Sequence, residues 1–146
     1  MKLPNISTLY KNIIRDSDNR GSILSIVDYN VANVSIISCN ASSIRSNHYH
    51  KKDYHFMYVL KGEINYFYKS LNDEKIHFIK VSEGDTIFTP CLEIHATHFP
   101  LNTELIVSSG FPRDQNTYEA DTVRVPFINS DNVNEMIALH KNQLKS

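Results

Sequence analysis

The stretch His48-Tyr49-His50-Lys51-Lys52-Asp53-Tyr54-His55-Phe56-Met57-Tyr58-Val59-Leu60-Lys61-Gly62 sets three histidines against a run of aromatic and aliphatic residues. In an extended chain successive side chains alternate between faces, so His48 and His50 point the same way and both imidazoles can reach one point. The run 55–60 reads as a strand. If His55 faces inward, Met57 and Val59 share its face, while Phe56, Tyr58 and Leu60 face outward. Lys61-Gly62 punctuates the pattern, and 63–69 resumes it with Ile64, Tyr66 and Tyr68 on one face. That spacing predicts a β-hairpin turning at Lys61-Gly62.

Short extended segments continue on both sides. Segments 22–28 and 33–39 are β-branched and apolar. Further strands are expected over 75–81, 86–89, 94–99 and 103–109, separated by Asn72-Asp73, Ser82-Glu83-Gly84-Asp85 and a loop opening at Pro90. Many short strands between turn signals are the pattern of an all-β sandwich or barrel. The tail differs. Residues 110–129 carry two prolines and a short extended piece over 122–125, and Ser130 or Asp131 can cap a helix. Val133, Met136, Ile137 and His140 recur at helical spacing, a face suited to docking on the barrel or on a partner subunit. The first fifteen residues read as an extra strand or an arm. The expected organisation is an N-terminal arm over 1–20, a barrel over 21–110 and an extension with a short helix over 111–146.

Composition excludes several function classes. With 146 residues the chain fits one domain. Fifteen basic and sixteen acidic residues leave a formal charge of −1, which gives no electrostatic footprint for nucleic acid. No stretch approaches the ~20 apolar residues of a membrane span, and the N-terminus lacks the apolar core of a secretory signal. Cys39 and Cys91 show no motif spacing and read as thiols in a reducing cytoplasm.

Seven histidines are many for this length, and His48, His50, His55, His95 and His98 all fall between 48 and 98. Neutral imidazole is a common ligand for zinc, iron, copper and nickel. Four such ligands from separate strands leave open positions on a five- or six-coordinate ion, which is what a catalytic metal centre needs. The candidate metal ligands are therefore His48, His50, His55 and His95. His98 lies three residues from His95 and points the other way along a strand; His77 and His140 read as surface or packed residues.

The spacing His48-x-His50-x4-His55-x6-Gly62 resembles the first motif of the cupins, and Gly84-x5-Pro90-x4-His95 resembles the second. Two of the chain's four glycines occupy motif positions. The resemblance spans roughly 20–110 and implies a single-domain cupin jelly-roll β-barrel. His55 stands where cupins usually place a glutamate. The all-histidine set is neutral and favours a divalent ion such as iron, nickel, zinc, copper or manganese over harder ions. Leu92 replaces the second glycine of the second motif, which alters the loop before His95.

Asp18-x-Arg20-Gly21 resembles the opening of cupin-fold sugar-nucleotide epimerases and ketoisomerases, in which an arginine near this position contacts the nucleotide diphosphate. Arg20 is thus the candidate substrate-binding residue, since a guanidinium fork grips phosphate oxygens well. The tail segments 112–115 and 118–125 resemble short cupins of polysaccharide biosynthesis, without a chemical role attached to their residues. The implied activity is an isomerase or epimerase acting on a sugar or sugar nucleotide, with no residue singled out as acid or base. In a metal-free version His48 or His50 would be the base. The alternatives are a non-haem iron dioxygenase of a small molecule and a non-catalytic ligand-binding cupin. A homodimer is expected, because cupins commonly pair and Phe56, Tyr58 and Leu60 face outward.

Overall fold

Period-two burial runs through most of the chain and divides it into strands. A computed structural model describes residues 2–11 and 14–144. In chain order the elements are β1 (Thr8–Tyr10), β2 (Ile14–Asp18), β3 (Gly21–Leu24), β4 (Asn33–Cys39), β5 (Ser43–His50), β6 (His55–Lys61) and β7 (Glu63–Ser70). They continue with β8 (His77–Ser82), β9 (Thr86–Thr89), β10 (Glu93–Phe99), β11 (Thr103–Ser109), α1 (Gln115–Asp121), β12 (Thr122–Arg124) and α2 (Val133–Leu144). The all-β class is as expected, with two helices in the tail where one was anticipated.

The strands form two five-stranded antiparallel sheets, ordered β1-β9-β6-β11-β4 and β12-β5-β10-β7-β8, and a separate β2-β3 hairpin. No ladder joins the two large sheets, so the barrel is an open jelly-roll sandwich. Inward residues of both sheets make one core: Met57, Val59, Ile87, Leu105 and Val107 from the first meet Ile64, Tyr66, Val81 and Phe99 from the second. The parity assigned to 55–60 and 63–69 is the parity found. A second cluster lies outside the second sheet, where Val133, Met136 and Ile137 of α2 cover Phe67, Phe78 and Ala96.

Two local expectations need correction, and one left open is decided. Lys61-Gly62 does not turn a hairpin, because β6 pairs with β9 and β11 while β7 pairs with β10 and β8. The chain crosses there from one sheet to the other. Gly62 has φ +98°, and a Cβ on it would meet backbone atoms of Asn102 and Thr103 at 2.8 Å. A glycine is required by that close approach, and the same punctuation mark reads as a hairpin in sequence. Segment 22–28 is not one strand: it is extended only to Leu24 and pairs with β2 alone. Part of the first fifteen residues forms β1, an edge strand on β9.

Candidate metal centre

A β-bulge aims the first two histidines. On β5, His48 pairs with His95 and Ser46 with Ala96, which leaves Asn47 without an opposite residue on β10. Ser46 and Asn47 take positive φ, 72° and 57°. Asparagine tolerates this region, and bulges re-aim side chains near functional sites. The Asn47 side chain is pinned by the tail: Oδ1 accepts from Phe127 N and Ile128 N at 3.0 Å, and Nδ2 donates to Ile128 O at 3.0 Å.

His48, His50 and His95 are buried, and each offers a ring nitrogen lying within 4.8 Å of the others'. The His48 ring centroid is 4.7 Å from that of His50 and 4.8 Å from that of His95. His95 Nδ1 faces Glu93 O at 3.4 Å; a carbonyl only accepts, so Nδ1 carries the proton and Nε2 the lone pair. Both ring nitrogens of His50 are buried without a hydrogen-bond partner. The Asp121 carboxylate is 3.5 Å from His50 Nδ1, close but outside hydrogen-bond geometry.

His55 belongs to a second group. It shares His50 as neighbour, at 4.5 Å between centroids, and joins it with Asp53. His55 Nε2 lies 3.1 Å from Asp53 Oδ2. The four candidate ligands are thus neighbours, arranged as two overlapping triplets with His50 in both.

Sequence reasoning missed Asp53, Arg113, Tyr118 and Asp121. Asp53 was visible as the one carboxylate between His50 and His55. The other three come from the tail, which the strand β12 brings back against β5. Asp114 caps α1 by accepting from Thr117 N at 3.0 Å. Tyr118 and Asp121, three residues apart on α1, then face the histidines. The Tyr118 ring is 5.6 Å from His50 and 6.3 Å from His48, with the Arg113 guanidinium 5.1 Å above it. The Asp121 carboxylate also accepts Lys52 N at 2.9 Å and Asp53 N at 3.1 Å, holding the turn between the histidine strands.

Burial, reinforced by repulsion from neighbouring imidazoles, pushes His48 down to about 3 and His50 down to about 4. The same causes hold His95 well below its usual value. Burial pushes Asp53 up, yet its hydrogen bonds with His55 and Tyr54 N bring it below the usual carboxylate range. At neutral pH the three buried imidazoles are neutral, the state a metal ion requires. Leaving a buried donor or acceptor unpaired costs about 1–3 kcal/mol, so the orphaned His50 nitrogens are an expense that a cation would relieve. The donor set fits a borderline divalent ion.

The site opens into a cavity of about 110 Å³. His48, His55 and His95 line it together with Arg45, Arg113 and Tyr118, while Met57, Phe99, Leu105 and Val107 form apolar wall. Arg20 is elsewhere. It lies exposed on the β2–β3 hairpin, binds Asp18 and does not line this cavity. The other histidines have private partners: His98 Nδ1 accepts from Asn65 at 3.1 Å, His77 stacks on Tyr68, and His140 faces Met136 O and Ile76 O.

No family model and no curated protein matches the sequence. Solved structures do match. The QdtA 3,4-ketoisomerase from Thermoanaerobacterium thermosaccharolyticum, a double mutant in complex with TDP, is 24% identical with a TM-score of 0.64, covering 84% of this chain and 89% of that one. A 3,4-ketoisomerase from Helicobacter canadensis is 14% identical at TM-score 0.66, covering 81% and 90%. The chain has the cupin fold. The capsular polysaccharide assembling protein CapF from Staphylococcus aureus matches at 20% identity and TM-score 0.60, over 81% of this chain and 33% of its own. His48, His50 and His95 lie on the neighbouring strands β5 and β10 of the second sheet, and His55 lies on β6 of the first.

Proposed function

We propose that this cupin-fold chain is a metal-dependent isomerase of a sugar nucleotide. His48, His50 and His95 hold one divalent ion, with His55 as a fourth ligand. The observation that carries this reading is the convergence of three neutral, buried imidazoles, of which His50 has both nitrogens unpartnered while His48 and His95 line a cavity with two arginines in its wall. A bound ion of this kind supplies Lewis acidity toward a carbonyl or hydroxyl oxygen.

The chain's own groups do the rest. Arg113 and Arg45 bind the phosphates of the substrate, and neither forms an ion pair with an acid among the described residues. Burial raises the Tyr118 phenol, so it is protonated at neutral pH and stands beside His48 and His50 as a proton donor. A metal-free mechanism with His48 or His50 as base needs one or two pocket histidines, and the gathering of four favours a metal. The substrate class draws support from the neighbours: QdtA has been crystallised with TDP-4-keto-6-deoxyglucose, and CapF assembles capsular polysaccharide. Two free thiols, Cys39 and Cys91, fit a reducing cytoplasmic site of action.

The active form is a homodimer. A two-stranded hairpin is marginal alone, and among the described residues β2–β3 pairs only with itself while exposing Ile14 and Ile23. Packing of this hairpin on a second copy would cover those side chains and carry Arg20 toward the partner. Light scattering should give twice the 16.8 kDa chain mass; a clean monomer at high concentration refutes the dimer. Elemental analysis should find about one divalent ion per chain. Deuterium from solvent should enter TDP-4-keto-6-deoxyglucose, seen by NMR. A metal-free protein after careful purification, with no exchange, sinks the enzyme reading.

A further inference from the structure

Asp53 meets His55 through one oxygen and the backbone through the other. Oδ2 stands 3.1 Å from His55 Nε2. Oδ1 accepts the N–H groups of Tyr54 at 2.8 Å and Phe111 at 3.1 Å. These two bonds orient the carboxylate, so the oxygen presented to His55 is not free to rotate away. A carboxylate has no proton to offer, which makes Nε2 the donor of the pair. The remaining lone pair is then on Nδ1, which has no hydrogen-bond partner among the described residues, in a ring that lines the cavity.

We infer that Asp53 is a positioning residue: its carboxylate locks His55 in the Nε2–H tautomer and thereby presents Nδ1 to the cavity as the electron-pair donor. In its consequence for metal binding the inference rests on the function proposed above. A carboxylate behind an imidazole raises its basicity as a ligand.

Asp53→Asn tests this sharply. The amide oxygen can keep the two backbone bonds, which turns the amide N–H toward Nε2. The ring must then accept at Nε2 and carry its proton on Nδ1. Long-range ¹H–¹⁵N correlation spectra of the metal-free full chain read the tautomer directly, with His55 assigned from its missing signals in His55→Gln. The expected result is Nε2–H in the wild type and Nδ1–H in D53N. Zinc binding, measured by competition with a chelator, should weaken roughly 10–100-fold in D53N. A wild-type His55 protonated on Nδ1 overturns the inference, and that measurement needs no variant to fold. A folded D53N that keeps Nε2–H also overturns it, as does one that binds zinc as tightly as a zinc-binding wild type. A tautomer change between the two proteins with no zinc bound by either supports the hold of Asp53 on His55 and removes the metal reading instead.

Discussion

Glu93 and His95 lie two residues apart on one face of β10, and their surroundings are opposites. At Glu93 one carboxylate oxygen heads a chain of paired groups. Its Oε1 accepts from Ser7 N at 3.1 Å and from the Ser7 hydroxyl; Ser7 Oγ is 2.7 Å from Tyr66 OH, which is 2.9 Å from Thr89 Oγ1. Ser7 comes from the segment leading into β1, so this network ties the first sheet to the second. At His95, by contrast, which lines a cavity, the neighbouring His50 keeps two unpaired ring nitrogens. Both clusters are polar and buried inside one sandwich. The first ties the two sheets together, and the second leaves buried imidazole nitrogens without partners. Buried polar groups left unpaired mark function better than polarity itself does.

The strongest way to break this contrast is the His48→Ala, His95→Ala double variant. Its metal affinity should fall by more than the ~100-fold that outer-sphere partners account for, bringing metal content to background by elemental analysis. Equal metal in both proteins would erase the distinction.

The second largest effect is on pH stability of the metal-free chain. The unfolded histidines take protons near 6.5, whereas folded His48 and His50 resist until about 3 and about 4. Below 6.5 the unfolded state therefore binds more protons, and stability falls as pH drops from 6.5 toward 4. Glu93 acts in the reverse sense. Burial raises its folded-state value above 4.5, so its contribution is lost as pH rises through that folded value. Urea unfolding across pH should show an acid limb that flattens in His50→Asn and persists in Glu93→Gln.

Smaller effects sharpen the comparison. Ser7→Ala leaves the buried Glu93 oxygen short of donors and should cost about 1–3 kcal/mol in urea unfolding, with metal content unchanged. His98→Gln, on the outer face of the same strand, should cost about 1 kcal/mol and leave metal binding untouched.

Much of the fold was legible in the sequence because strand parity is local. The inward Met57 and Val59, the shared face of Ile64 and Tyr66, and the opposed orientations of His95 and His98 all follow from a period of two. The turn at Gly62 was misread because a glycine with positive φ serves a hairpin and a sheet-to-sheet crossing equally well. The tail was illegible for another reason. Arg113, Tyr118 and Asp121 have no periodic relation to the histidines, and only the return of β12 to β5 brings them there.

The sequence by itself determined that this is an all-β chain carrying histidines at paired spacing on strands, since alternation and turn chemistry act over a few residues. Tertiary structure alone decided which strands pair, that His50 sits unpaired between two triplets, and that Asp53 and the tail complete the site. Those outcomes depend on contacts between residues far apart in the chain, such as Asp53 and Asp121, 68 positions apart, and no local pattern encodes where such a chain returns.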